Sequence, residues 1–157
     1  MKLTFLGATW TVTGSKYLLE DENKKFLIDC GLFQGLKDLR LQNWDKPPFD
    51  PASIDAVILT HAHIDHSGYL PVLVKNGFKG PIYCSAGTAD LCDILLPDSG
   101  YLQEEDAARA NRYNYSKHSP ALPLYTQEDA YNALEYLKPV SFGDEHPLSD
   151  MLSFHMT

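Results

Sequence analysis

The run Ile54–Thr60, "IDAVILT", carries no charge after Asp55 and is rich in β-branched residues. A nearly continuous apolar segment of this kind reads as a strand buried on both faces, and such a strand needs helices above and below its sheet. The chain then passes straight into "HAHIDHSG", where His61, His63, Asp65 and His66 fall within six positions. Ligand sites in open α/β sheets lie beyond the carboxyl ends of strands. One short stretch therefore constrains both the architecture and the place where chemistry can occur.

The flanking segments supply the other elements. "KLTFL" (residues 2–6) reads as a strand broken by Gly7. "SKYLLE" (15–20), the polar "DENKK" and "FLIDC" (26–30) read as a hairpin with a longer loop. "GLFQG" (31–35) is a loop with unusual backbone angles. Residues 36–43 form a short helix stopped by the proline pair of "WDKPPFDP". "GYLPVLVKNG" (68–77) reads as a helix ended by glycine, and "PIYCS" as a strand. "TADLCDILL" and, after Pro97, "DSGYLQEEDAARANRYN" read as helical segments, the second acidic at its start and basic at its end. Thr126 and Asp129 have capping-box spacing, which predicts a helix start there. "PVSFG" and "MLSFHMT" are predicted strands. The order implies a mixed α/β layered fold.

Composition narrows the classes. At 157 residues the chain suits one domain or part of a larger one. Twenty-one acidic against 13 basic side chains give a net charge of −8, which counts against a basic nucleic-acid groove made by this chain alone. Bound divalent cations can still dominate the local field, so a phosphate substrate is not excluded. No apolar run approaches membrane-span length, and the N-terminus, broken by Gly7, does not read as a secretory signal. Three cysteines without Cys-x-x-Cys spacing suit a reducing, cytoplasmic setting rather than a disulfide framework.

The histidine cluster needs a reason. A single histidine is usually a hydrogen-bonded structural residue. Three beside an aspartate would repel one another when protonated and waste polar capacity when buried. A divalent metal removes both objections, because neutral imidazole and carboxylate are suitable ligands. His61 and His63 are two apart, so in extended backbone they leave on the same side and can share an ion. Asp65 and His66, past the strand where the chain turns, can address a second.

"THAHIDHSGYLP" resembles the His-x-His-x-Asp-His motif of the metallo-β-lactamase superfamily. "FLGATWTVTGSKYLLE", "FLIDCGLFQG", "LLPDSGYLQEEDA" and "PLYTQEDA" are similar to segments of its β-CASP branch of RNA-processing nucleases. The resemblance implies the N-terminal portion of an αββα sandwich, a mixed sheet flanked by helices, over residues 1–157. It implies His61 and His63 as ligands of one zinc, and Asp65 and His66 as ligands of a second. Asp65 would also handle the proton of the attacking water, and Asp29, in "LIDCG", would support the loop by hydrogen bonding. Without the resemblance, Asp29 reads as a turn residue. Gly7, Thr13 and Gly14 match the loop beside the site, where close approach needs small residues.

The later ligands and the β-CASP cap of the family pattern are not matched within these residues. His155 reads as a strand residue, and His118 and His146 as exposed. The implied function is zinc-dependent cleavage of RNA phosphodiesters by a longer parent, the fragment itself having little activity. Alternatives are a thioesterase- or lactonase-type hydrolase of the same fold, or a non-catalytic scaffold subunit. RNA is the implied partner, no membrane is expected, and homo-oligomerisation stays open.

Overall fold

A computed structural model describes residues 1–157. Its centre is a six-stranded sheet in the order β1-β2-β3-β4-β5-β6, with ranges Lys2–Phe5, Tyr17–Asp21, Lys24–Ile28, Ala56–Ile58, Ile82–Cys84 and Leu137–Pro139. The first three strands are antiparallel and the last four, β3 to β6, run parallel. The helices are α1 (Lys37–Leu41), α2 (Ile64–Ser67), α3 (Leu70–Lys75), α4 (Ala86–Tyr113) and α5 (Gln127–Leu134). A two-stranded ribbon, β7 (His146–Pro147) with β8 (Ser153–Phe154), closes the chain.

Strand alternation sorts the sheet into two faces. Leu18, Leu27, Val57 and Ile82 stand in register across β2–β5, all buried, and share one apolar cluster with Leu70 and Leu73 of α3, Leu96 of α4 and Ala130 of α5. The neighbouring row, Tyr17, Ile28, Ile58 and Tyr83, is only half-buried. At Ala56 and Val57 the central strand is buried on both sides as its composition demands, and it opens at Ile58. Helix α5 packs against both α3 and α4 over the first face.

Several expectations change in detail. The β2–β3 hairpin pairs Asp21 directly with Lys24, so its turn is the two residues Glu22 and Asn23, with Glu22 at φ 50°. The two helical segments around Pro97 are one 28-residue helix. Proline removes a backbone donor inside a helix, but Leu96 and Pro97 are buried in the helical layer, and that burial outweighs the missing bond. The sixth strand precedes "PVSFG" and only Pro139 is common to both; Phe142 makes an isolated bridge to Met156. The capping box is present: Thr126 Oγ1 accepts from Asp129 N at 3.1 Å, and the Asp129 carboxylate accepts from Thr126 N at 2.9 Å. No helix is long and apolar enough to cross a membrane.

Candidate metal centre

Beyond Ile58 the chain leaves the sheet as Leu59–His63 and enters the single turn α2. So short a helix cannot satisfy its own carbonyls. Neighbouring loops do so: Ile64 O, Asp65 O and His66 O accept from Leu32 N (3.0 Å), Ser15 N (2.8 Å) and Cys30 N (2.7 Å). Ser67, fully buried, donates its hydroxyl to Ala62 O at 2.8 Å. Gly31 lies so close that a Cβ there would sit 1.6 Å from Asp65 O, so this position must lack a side chain. The motif backbone is thus held on every side before any ion is considered.

Under the loop lies Asp29, 2% exposed and at φ 58°. Its Oδ1 accepts from Thr60 N and Thr60 Oγ1, each at 2.8 Å. Its Oδ2 accepts from Ser15 Oγ at 3.0 Å and lies 2.7 Å from His66 Nδ1. A carboxylate accepts only, so His66 Nδ1 carries a proton, and in the neutral ring Nε2 is the nitrogen left open to an ion. The Thr60 hydroxyl has one proton and gives it to Asp29, so Oγ1 accepts from His61 Nδ1, 3.0 Å away. These tautomers are assigned from the network. Both histidines therefore offer Nε2, the arrangement that orients metal-ligating imidazoles.

The rings are gathered: the His61 centroid lies 4.7 Å from that of His63 and 4.0 Å from that of His66. Asp65 Oδ2 stands 3.6 Å from His66 Nε2. Burial, then the charges of His66 and His63, hold His61 below the ordinary histidine range, which favours the neutral, ligating form. As they stand, no three His, Cys, Asp or Glu side chains form a closed cage for an ion. The donor set nevertheless fits a divalent cation in its chemistry, with Nε2 of two histidines free, their Nδ1 positions occupied, and His63 and Asp65 adjoining. The nearby Cys30 thiol is fully buried, and that burial pushes it up to about 12.

His118 and His155 are exposed and far along the chain from this loop. His146 is half-buried, not exposed: its ring centroid lies 5.3 Å from that of Phe154 and its Nε2 is buried without a partner. Sequence reasoning missed Ser15, Thr60 and Lys16. Lys16 is 7% exposed, donates to Gly31 O, and sits 4.4 Å and 5.0 Å from the ring centroids of Tyr69 and Phe33. Burial lowers its pKa. Its signal was parity: Lys16 shares the strand face of the buried Leu18.

Residues 11–133 match the sequence model of the metallo-beta-lactamase superfamily. The chain belongs to the metallo-β-lactamase superfamily. Its relatives include Ribonuclease TTHA0252 of Thermus thermophilus, 37% identical over 144 residues that cover 92% of this chain and 29% of that protein. Another is the transcription termination factor FttA of Methanocaldococcus jannaschii, 32% identical over 143 residues, covering 91% of this chain and 20% of that protein. The chain thus spans less than a third of the length of either. The superfamily fold is also seen in the crystal structure of MEM-A1, a subclass B3 metallo-beta-lactamase from a soil metagenome library. That structure superposes with a TM-score of 0.51 at 16% identity, covering 94% of this chain and 46% of that one.

Proposed function

We propose that this chain is the N-terminal, metal-motif part of a zinc-dependent hydrolase of the β-CASP branch that cleaves RNA phosphodiester bonds. One observation carries the reading: Asp29, accepting four hydrogen bonds from Ser15, Thr60 and His66, underpins an unbroken His-x-His-x-Asp-His loop. Two relatives named for RNA cleavage and transcription termination support the choice of substrate. His61 and His63 would hold one ion, Asp65 and His66 a second. Divalent ions at such a site supply Lewis acidity and make water acidic enough to attack near neutral pH.

The chain's own residues do the remaining work. Asp29 is a positioning residue, since it is buried and cannot touch substrate; it fixes the His66 ring through Nδ1. Thr60 does the same for His61. Asp65, partly exposed beside His66 Nε2, would hold the proton lost by the attacking water. Three buried free thiols, Cys30, Cys84 and Cys92, support a reducing cytoplasmic setting.

The test is cleavage of single-stranded RNA by the purified full-length protein loaded with zinc, compared with His63→Ala. Cleavage lost in the variant is the expected result. Equal inactivity of both, or turnover of a thioester in place of RNA, overturns the reading.

A further inference from the structure

A cavity of about 150 Å³ lies between the entry to β2, the segment 42–49 and Tyr69. Leu6, Phe33, Pro47, Pro48, Phe49 and Tyr69 make most of its wall. None of His61, His63, Asp65 or His66 lines it, so it is separate from the candidate metal centre. Two residues of the wall are almost wholly buried yet leave polar capacity unused. Lys16, 7% exposed, has three donor protons. One goes to Gly31 O, and the ring centroids of Tyr69 and Phe33 lie 4.4 Å and 5.0 Å from the ammonium. It makes no salt bridge, whereas Lys2, Lys24, Lys25 and Lys75 do. Tyr69, 5% exposed, has a hydroxyl with no hydrogen-bond partner in the chain. A buried ammonium is costly without an opposite charge, and aromatic faces offset only part of that cost. The other two charges on the wall, Asp45 and Lys46, balance each other and leave Lys16 unmatched.

We infer that this cavity binds a small apolar carboxylate, its anionic end on Lys16 Nζ and Tyr69 Oη and its body against Phe33, Phe49 and the prolines. The two carboxylate oxygens accept from the two open donors, and a bond to a charged donor is among the stronger hydrogen bonds. The volume agrees, because an apolar cavity of this size takes up a benzene ring. Inorganic phosphate fits less well, since its remaining oxygens would meet apolar walls without donors. Water alone would put about five molecules against walls that offer few polar partners. The inference does not rest on the hydrolase reading.

Calorimetric titration of the full-length protein with benzoate at pH 7 tests the site. Benzamide, which keeps the shape without the charge, and inorganic phosphate are the controls. Benzoate should bind once per chain, and both controls at least roughly tenfold more weakly. Lys16→Met keeps the length of the side chain, removes the charge, and should weaken benzoate roughly tenfold or more. Tyr69→Phe keeps the ring and should weaken it roughly fivefold. Asp45→Asn removes the one anion of the wall and should tighten benzoate about threefold. Thermal unfolding shows which variants are folded, and if Lys16→Met is not, the other two carry the test. Benzoate binding that is absent, matched by benzamide, or unchanged in Lys16→Met overturns the site. A lower unfolding midpoint in Asp45→Asn at unchanged benzoate affinity overturns it as well, by making Asp45 the water-bridged partner of Lys16.

Discussion

Two loops flank the candidate metal centre, and they are built on opposite plans. Residues 60–68 have three consecutive carbonyls taken by neighbouring loops, a buried serine and a carboxylate with four partners beneath them. Residues 8–13 hold Ala8 at φ 53° and Trp10 at φ 65°, and expose Trp10 fully and Val12 at 89%. Their ties are local threonine bonds and one exchange between Thr13 and Gln34. Left-handed backbone costs an ordinary residue about 1–2 kcal/mol, and the Trp10 side chain buries no surface in return. The candidate ligands are thus mounted on the satisfied loop, while the strained one stands beside it.

The largest expected break of this contrast is Gly31→Ala. Its Cβ would collide with Asp65 O, and urea unfolding should show a loss of about 4 kcal/mol. Gly35→Ala, at φ 83° but with no atom within 4 Å of the added carbon, should cost only about 1 kcal/mol. Next comes Asp29→Ala, which strands the Thr60 and Ser15 donors and frees His66. A loss of about 3 kcal/mol is expected, together with zinc affinity lower by about 10–100-fold in calorimetry of the full-length protein.

A site remote from both loops calibrates the scale. Burial raises the Asp129 carboxyl, but hydrogen bonds from Lys75 and Thr126 prevail and hold it below its ordinary value of 3.8. Asp129→Ala should cost about 1 kcal/mol at pH 7. The folded-state pKa is the depressed one, so the stabilisation is fully present above pH 3.8 and is lost as pH falls through the folded value. Chemical denaturation against pH should show wild type and variant converging in that acid window. The smallest effect belongs to the strained loop: Trp10→Gly should raise stability by about 0.5 kcal/mol, strain relief slightly exceeding the added chain entropy. A clear loss on that substitution would show that the exposed indole packs somewhere and would erase the contrast.

Local chemistry was the legible part of the sequence. The apolar run 54–60 announced a buried strand, Thr126 and Asp129 announced a cap, and the histidine spacing marked the candidate site. What escaped depended on long-range packing. The continuity of α4 through Pro97 follows from burial in the helical layer, which no local rule at proline contains. The hairpin turn shortened to Glu22–Asn23 because the register across β2 and β3 decided it. Ser15 and Thr60 look like ordinary small polar residues until the fold brings both to Asp29.

The backbone at Asp29 also narrows which amino acids that position can accept. A left-handed φ of 58° favours glycine, asparagine and aspartate, and four donors around one buried carboxyl group admit only an acceptor on both oxygens. Conformation and proton bookkeeping are independent filters, and aspartate alone passes both, so saturating this codon and selecting for function should return a single letter.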